Sequence, residues 1–105
     1  MLCVVVPTYN EASNIQELLR SLFALNLTDL YVFVIDDSSP DGTASIAEEM
    51  SSELGDRVFV FRRPNKGGLG TAYVFGFAKV FEMFSHQYTD FHIAQMDADF
   101  SHNPN

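Results

Sequence analysis

The segment LYVFVIDDSSPDGT, residues 30–43, decides the fold because it runs from a strand through a polar turn into a helix. Its first six residues are all apolar or aromatic, which is typical of a strand buried on both faces. Asp36 and Asp37 close that run, and the Ser, Pro, Asp and Gly residues after them favour a turn. Thr43 or Asp41 can then cap a helix. The segment therefore predicts one strand–loop–helix unit of a parallel α/β sheet.

The same unit recurs on both sides of this segment. Apolar runs predict further strands at residues 2–6, 57–61 and 91–96, the first of them ended by Pro7. The resulting order is βαβαβαβ, with right-handed crossovers between parallel strands. We therefore expect an α/β fold of Rossmann-like type, with a mostly parallel sheet of about four strands and flanking helices.

Helical spacing of apolar residues predicts the helices between the strands. Ser13 is expected to cap the first helix, with Gln16 completing a capping box. The apolar face predicted for the second helix consists of Ile46, Ala47, Met50 and Leu54. The third helix is expected from Thr71 to about Ser85, and its predicted packing face consists of Val74, Phe77, Ala78 and Phe81.

Composition limits the possible partners of the chain. Its 105 residues allow one small domain, and a formal charge of −8 disfavours nucleic acid and anionic membrane surfaces while suiting divalent cations. The single Cys3 lies in an apolar run and is expected to be a buried free thiol. Neither a signal peptide nor an apolar run long enough to span a bilayer is visible. We expect a protein of the cytoplasm, or of the cytosolic face of a membrane.

Four polar loops follow the predicted strands: PTYNE, DDSSPDGT, RRPNKGGLG and DADFSHN. Ligands of open α/β sheets bind at the carboxyl ends of the strands, so these loops should converge on one edge. In the last loop, Asp97 and Asp99 point to the same side of an extended backbone, about 6–7 Å apart, and can share a divalent cation. The alternative is that the two carboxylates cap a turn in water.

The first two loops contain candidate nucleotide contacts. Only one of Asp36 and Asp37 can face the cleft, where a carboxylate can accept hydrogen bonds from a base or a ribose. The alternative is turn formation and helix capping by Asp36 and Asp41. Tyr9 offers a flat face for a base and Glu11 offers an acceptor, unless Tyr9 is simply packed.

The third loop favours an anion. Arg62, Arg63 and Lys66 lie beside glycines at the start of a helix, an arrangement that suits a phosphate or diphosphate. The spacing matches neither the dinucleotide fingerprint nor a P-loop. The alternative is a flexible loop with solvated cations.

Taken together, VVVPTYNEASNI, VIDDSSPDGT, RPNKGGLGTAY and MDADFSHNP resemble the inverting glycosyltransferases of the GT-A fold, and among them the dolichol-phosphate (polyprenol-phosphate) mannose synthases. The resemblance covers essentially the whole chain. It implies metal-dependent transfer of mannose from GDP-mannose to a dolichol or polyprenol phosphate. It also implies that residues 1–105 are the N-terminal, nucleotide-sugar-binding part of a longer, truncated domain. The chain alone is then expected to be inactive, and membrane contact to come only through the lipid acceptor or a later part of the protein.

The resemblance also assigns roles to individual positions. The implied nucleotide contacts are Pro7, Tyr9, Glu11, Ile35 and Asp37. The implied catalytic residues are Asp97 and Asp99, which with Ala98 hold the donor diphosphate through Mg²⁺ or Mn²⁺. Ser101 stands where many relatives have Gln, and is the implied third metal ligand.

Two other functions fit parts of the pattern. One is a transferase of the same fold that uses a UDP-sugar or another acceptor. The other is a receiver-like, metal-binding signalling domain, because VIDDSSPDG places acidic residues after a strand. A receiver, however, needs its paired acids after the first strand, and here the first strand ends in Pro7.

Overall fold

The protein is a parallel α/β sheet covered by helices on both faces. The computed structural model describes residues 2–25, 29–64, 69–84 and 92–96. Their elements are, in chain order, β1 (Leu2–Thr8), α1 (Ala12–Ala24), β2 (Leu30–Asp36), α2 (Thr43–Glu53), β3 (Val58–Arg62), α3 (Leu69–Phe84) and β4 (His92–Gln95). The strands pair in parallel in the order β3-β2-β1-β4. The predicted fold is therefore confirmed.

Alternate residues of the two central strands, β1 and β2, are buried in two separate hydrophobic cores. Val4 and Val6 of β1 and Val32 of β2 pack with α1 and α2 on one face. Cys3, Val5, Phe33 and Ile35 pack with α3 on the other. Burial on both faces explains why β1 and β2 read as continuous apolar runs instead of alternating ones. Cys3 is the buried free thiol that was expected, and burial raises its pKa to about 11.

The packing face predicted for α3 is wrong at three of its four residues, whereas Phe77 is half-buried and packs against the core as predicted. Val74 and Phe81 are 68% and 52% exposed, and Ala78 is also exposed. The buried face instead includes Ala72, Gly76, Val80 and Phe84. Gly76 decides this orientation, since a Cβ atom there would lie 2.4 Å from Cγ1 of Val5 and 3.2 Å from Cγ1 of Ile35. The helix therefore approaches the sheet most closely at a residue that has no side chain.

The start of α1 also differs from the prediction. The helix begins at Ala12 with Glu11 at its N-cap, and no side chain of that cap bonds the helix backbone. Ser13 lies inside the helix, so the predicted capping box with Gln16 is wrong. The strands match the predicted ones to within two residues at each end, and β1 continues through Pro7 to Thr8.

The strand order identifies the edge at which a ligand would bind. From β1 the chain moves outward to β2 and β3, then returns across the other face to β4, so the order reverses between β1 and β4. Such a reversal opens a crevice at the carboxyl ends of the strands. Receiver domains have the order 2-1-3-4-5, in which β1 pairs with β3. Here β3 pairs with β2, which contradicts the receiver-like alternative. Among the described residues, no helix combines the length and apolar character needed to cross a bilayer.

Candidate functional site

The carboxyl ends of the first three strands lie side by side. Thr8 is in register with Asp36, and Asp36 with Arg62. Backbone bonds continue past these positions: the Asp37 N–H donates to the Thr8 carbonyl at 3.1 Å, and the Arg63 N–H to the Asp36 carbonyl at 2.7 Å. The loops after β1, β2 and β3 thus begin at one edge, as expected for a parallel sheet.

The end of β4 is held next to β1. The Met96 N–H donates to the Val5 carbonyl at 3.1 Å, one residue after the last paired position of β4. Asp97 follows in the sequence, but the predicted diphosphate and metal contacts all lie outside the described residues: Asp97, Ala98, Asp99 and Ser101. Within the described ranges, no group of three or more His, Cys, Asp or Glu side chains could hold a metal ion.

Asp36 is buried and forms a network of hydrogen bonds at this edge of the sheet. Its side chain is almost fully buried, and its carboxylate accepts hydrogen bonds from the Thr8 hydroxyl at 2.7 Å and the Ser39 hydroxyl at 2.6 Å. The Ser39 N–H donates a third bond at 2.9 Å. These bonds satisfy a buried charge and tie the end of β1 to the loop after β2. The turn-forming role weighed for Asp36 is therefore what the structure shows.

Asp37 belongs to a buried ion pair with Arg63. Arg63 Nε donates to Oδ1 of Asp37 at 2.5 Å, and a terminal guanidinium nitrogen donates to Oδ2 at 2.7 Å. The two side chains are only 7% and 12% exposed, respectively. The hydrogen bonds to Asp37 raise the pKa of Arg63 above its ordinary value. A two-pronged pair of this kind fixes the plane of the carboxylate as well as its position.

Arg63 also reaches the helix that follows it. Its second terminal nitrogen donates to the Thr71 hydroxyl at 3.2 Å, and its guanidinium carbon lies 5.9 Å from the centre of the Phe75 ring. Its backbone carbonyl accepts the Ser38 hydroxyl at 2.5 Å. Arg63 therefore connects the loop after β2 to the first turns of α3.

Arg62 takes part in a different pair. Its guanidinium binds both carboxylate oxygens of Glu48 on α2, each at 2.7 Å, and donates to the Ser45 hydroxyl at 3.3 Å. This contact raises the pKa of Arg62. The sequence left Arg62 and Arg63 open to an anion or to solvent, and in the structure both bind carboxylates of the chain itself. Lys66, the third cation of that group, lies outside the described residues.

The remaining predicted nucleotide contacts are distributed around this edge. Tyr9 is 39% exposed just past the end of β1, and Pro7 is half-buried in register with Ile35. Ile35 is fully buried in the core beneath α3. The Glu11 carboxylate accepts a hydrogen bond from the Asn14 side chain at 3.1 Å. Tyr9 and Asp37 thus follow neighbouring strands, with Tyr9 more open to solvent.

Sequence reasoning missed two features of the site. It did not pair Arg63 with Asp37, although parallel pairing of β2 with β3 brings the residues after both strands together. It named Asp41 and Thr43 only as caps of α2, whereas both also bind backbone at the start of α1. The Arg63–Asp37 pair could have been found from the position of Arg63, one residue past β3. The bonds of Asp41 and Thr43 to the start of α1 join residues that are 29 and 32 positions apart in sequence.

An open parallel sheet with polar loops at a strand-order reversal is typical of α/β domains that bind a ligand at this edge. The comparison with known proteins is more specific: the chain belongs to glycosyl transferase family 2, whose sequence profile matches residues 3–105. Its structural neighbours are glycosyltransferases of the GT-A fold. The family resemblance read from the motifs is therefore confirmed.

Two similar curated proteins have names that describe mannosyl transfer. The polyprenol monophosphomannose synthase of Mycolicibacterium smegmatis is 38% identical over 101 residues, which is 96% of this chain and 36% of that protein. The dolichol-phosphate mannosyltransferase of Pyrococcus furiosus is 37% identical over 103 residues, covering 96% of this chain and 26% of that protein. The chain thus spans about a third of the length of these relatives, or less.

Two solved structures are similar to the fold. The mannosyltransferase PcManGT of Pyrobaculum calidifontis, in complex with GDP-Man and Mn²⁺, is 28% identical with a TM-score of 0.70, over 74% of this chain and 24% of that one. S. aureus TarS 1-349 in complex with UDP-GlcNAc is 29% identical with a TM-score of 0.74, over 93% of this chain and 26% of that one.

Proposed function

We propose that this chain is the nucleotide-sugar-binding part of an inverting glycosyltransferase that moves mannose from GDP-mannose to a dolichol or polyprenol phosphate. The observation that carries the proposal is the Asp37 carboxylate, fixed by Arg63 at the carboxyl edge of the sheet, next to the loop that bears Tyr9. Two mannosyltransferase relatives and a neighbour solved with GDP-Man support this choice of donor.

In this proposal, Tyr9 and Asp37 receive the nucleoside. The Tyr9 ring offers a partly exposed flat face against which a base can stack. Each Asp37 oxygen bound by Arg63 keeps a lone pair, which can accept a hydrogen bond from a base N–H or a ribose hydroxyl. Pro7 and the backbone at Ile35 are in register near the same edge, and Glu11 lies in the loop after β1, at the N-cap of α1.

A divalent ion would be held by Asp97 and Asp99, with Ser101 as the third ligand. Two carboxylates and a hydroxyl are hard oxygen donors, and this donor set suits Mg²⁺ or Mn²⁺. The ion, when bound, neutralises charge that develops on the leaving diphosphate. The bond between Met96 and Val5 keeps the end of β4 beside β1, and Asp97 is the next residue in the sequence.

The acceptor in this proposal needs positioning more than activation. A phosphate monoester is already anionic near neutral pH, so its oxygen can attack without a strong general base. Arg62 and Arg63 bind Glu48 and Asp37 in this structure, so the clamp on the acceptor phosphate is assigned to neither of them.

A second donor class has an observation of its own in its favour. The TarS neighbour in complex with UDP-GlcNAc covers 93% of this chain, more than the 74% covered by the GDP-Man neighbour. Uracil and guanine each carry a ring N–H beside a carbonyl, and a carboxylate such as Asp37 can accept from either N–H. A UDP-sugar is therefore the alternative donor.

Isothermal titration calorimetry of the chain with GDP-mannose, UDP-glucose and UDP-N-acetylglucosamine, with and without Mn²⁺, separates these donors. We expect GDP-mannose to bind most tightly, and Asp37→Asn to weaken its binding. The control is Glu49→Gln, which makes the same charge change on the exposed side of α2. Tighter binding of a UDP-sugar would favour the alternative donor. Failure of all three nucleotides to bind, with the chain folded, would contradict the proposal.

A further inference from the structure

The backbone N–H groups at the start of α1 are capped by side chains that are distant in sequence. Three consecutive backbone N–H groups donate to side chains of the segment after β2. Asn10 N–H donates to the Ser39 hydroxyl at 2.9 Å, and Ala12 N–H donates to the Asp41 carboxylate at 3.0 Å. Between them, Glu11 N–H donates to the Thr43 hydroxyl at 2.9 Å. These acceptors replace the missing N-cap side chain of α1.

Asp41 takes part in two of these three bonds: it accepts the bond from Ala12 N–H, and it binds the Thr43 hydroxyl that accepts the bond from Glu11 N–H. One of its carboxylate oxygens accepts from Ala12, and the other accepts the Thr43 hydroxyl at 2.5 Å and the Thr43 N–H at 3.1 Å. Because the Thr43 hydroxyl donates to Asp41, its oxygen lone pairs remain for Glu11 N–H. The bond from Thr43 lowers the pKa of Asp41 below its ordinary value. An ionised carboxylate is acceptor-only, as these contacts require.

The segment held in this way is Tyr9–Glu11. Asn10 has a φ of +56°, in the left-handed region that costs most residues energy and that Asn tolerates better than others. The backbone at Asn10 sets how Tyr9 and Glu11 leave the end of β1. A hydrogen bond on each side of this position keeps the segment in its strained conformation.

We propose that Asp41 is a positioning residue for nucleotide binding, acting through Thr43 and the Ala12 N–H to hold the Tyr9–Glu11 segment in its binding conformation. This inference rests on the proposed function. Asp41 is exposed and lies outside both apolar cores, so removing its carboxylate leaves no cavity in the sheet. The change should therefore act on the segment and its ligand more than on global stability.

The test compares five variants of the chain, one of them a control, with the wild type. Asp41→Ala removes both acceptor oxygens, and Asp41→Asn keeps one of them. Thr43→Val removes the hydroxyl at nearly constant shape in a fully buried position, and Thr43→Ser restores it. Glu49→Ala is the control, because it removes an exposed carboxylate elsewhere on α2. Each is measured by amide hydrogen exchange at residues 11 and 12, by calorimetry with GDP and UDP plus Mn²⁺, and by thermal unfolding.

We expect Asp41→Ala and Thr43→Val to speed exchange at residue 11 and to weaken nucleotide binding about tenfold, the equivalent of one hydrogen bond to a charged group. Asp41→Ala should also speed exchange at residue 12. Asp41→Asn should fall between Asp41→Ala and wild type, while Thr43→Ser and Glu49→Ala should match wild type. All binding is measured well below the unfolding midpoint of each variant, so a merely structural role would leave affinity unchanged.

The result that overturns the inference is wild-type nucleotide affinity in both Asp41→Ala and Thr43→Val, whether or not exchange becomes faster. Weaker binding without faster exchange would also overturn it, because the segment would then not be what Asp41 holds. If the wild-type chain itself binds neither GDP nor UDP, the proposed function fails instead, and the variants need not be compared.

Discussion

Two adjacent arginines form the same two-pronged contact with a carboxylate in opposite environments. Arg62 binds Glu48 with side chains that are 50% and 46% exposed, whereas Arg63 binds Asp37 with side chains that are 12% and 7% exposed. Successive residues of a strand point to opposite faces of the sheet. Arg62 accordingly contacts α2, and Arg63 contacts α3. One step along the chain therefore separates a solvated surface pair from a buried one at the candidate site.

This difference predicts unequal energetic roles. An exposed ion pair contributes about 0–1 kcal/mol, because water and salt screen it and two long side chains must be ordered. Breaking a buried pair by removing one partner typically costs about 3–5 kcal/mol, since the remaining charge stays desolvated. Both contacts are bidentate, Arg62 through its two terminal nitrogens and Arg63 through Nε and one terminal nitrogen, so burial is the main difference expected to separate their effects.

The largest effect is expected from Arg63→Met. This change leaves the Asp37 carboxylate buried without its guanidinium, and the free energy of unfolding should fall by about 3 kcal/mol or more. Urea denaturation of the chain measures it, with Arg62→Met as the matched control. Equal losses in both variants would show that burial does not distinguish the pairs.

The next largest effect concerns the ligand. Asp37→Asn should weaken GDP binding by about 1–3 kcal/mol, the range expected for losing a hydrogen bond to a charged acceptor. Asp36→Asn should lower stability while leaving the affinity of the folded protein near wild type, because Asp36 already binds Thr8 and Ser39. Calorimetry of both variants decides, and the opposite pattern would reverse the assignment of the two carboxylates.

A double variant sharpens the comparison. Combining Arg63→Met with Asp37→Leu removes both charges, and apolar replacements of a buried pair are often neutral or stabilising. The double variant should therefore unfold within about 1 kcal/mol of wild type despite the large loss in Arg63→Met alone. Additive losses in a double-mutant cycle would mean that the two side chains have no interaction energy, which would contradict the coupling expected of the pair.

The smallest effect is expected from Arg62→Met. Its loss should change the free energy of unfolding by under about 1 kcal/mol. That difference should shrink further in 1 M NaCl, where charges are screened over about 3 Å. The measurement is urea denaturation at low and high salt. A loss that persists at high salt would indicate that packing of the Arg62 stem, not its charge, stabilises β3 against α2.

Sequence patterns predicted the sheet well, because strands buried on both faces can be recognised as continuous apolar runs. The runs at residues 2–6 and 30–35 are apolar at every position, and parallel pairing follows from the helices between them. The carboxyl edge, and the presence there of Tyr9 and Asp37, followed from the same rule.

Where the predictions failed, the deciding contact was distant in sequence or the pattern was ambiguous. α3 carries apolar side chains on nearly every face, so its spacing does not identify the buried one; the close approach of Gly76 to Val5 does. The cap of α1 is formed by Asp41 and Thr43, about thirty residues away in sequence, so no local motif predicts it. The partner of Arg63 likewise depends on which strands are neighbours.

The missing side chain of Gly76 has a consequence for mutational tolerance. Any Cβ at that position must push α3 away from Val5 and Ile35, and α3 also carries Thr71, the hydrogen-bond partner of Arg63. A library that varies every position of α3 should therefore lose nearly all substitutions at 76, while the exposed positions 74 and 81 accept polar residues. Position 76, to which no ligand contact is assigned, would then be among the least variable in the helix. The absence of a Cβ atom there sets the distance between α3 and the sheet.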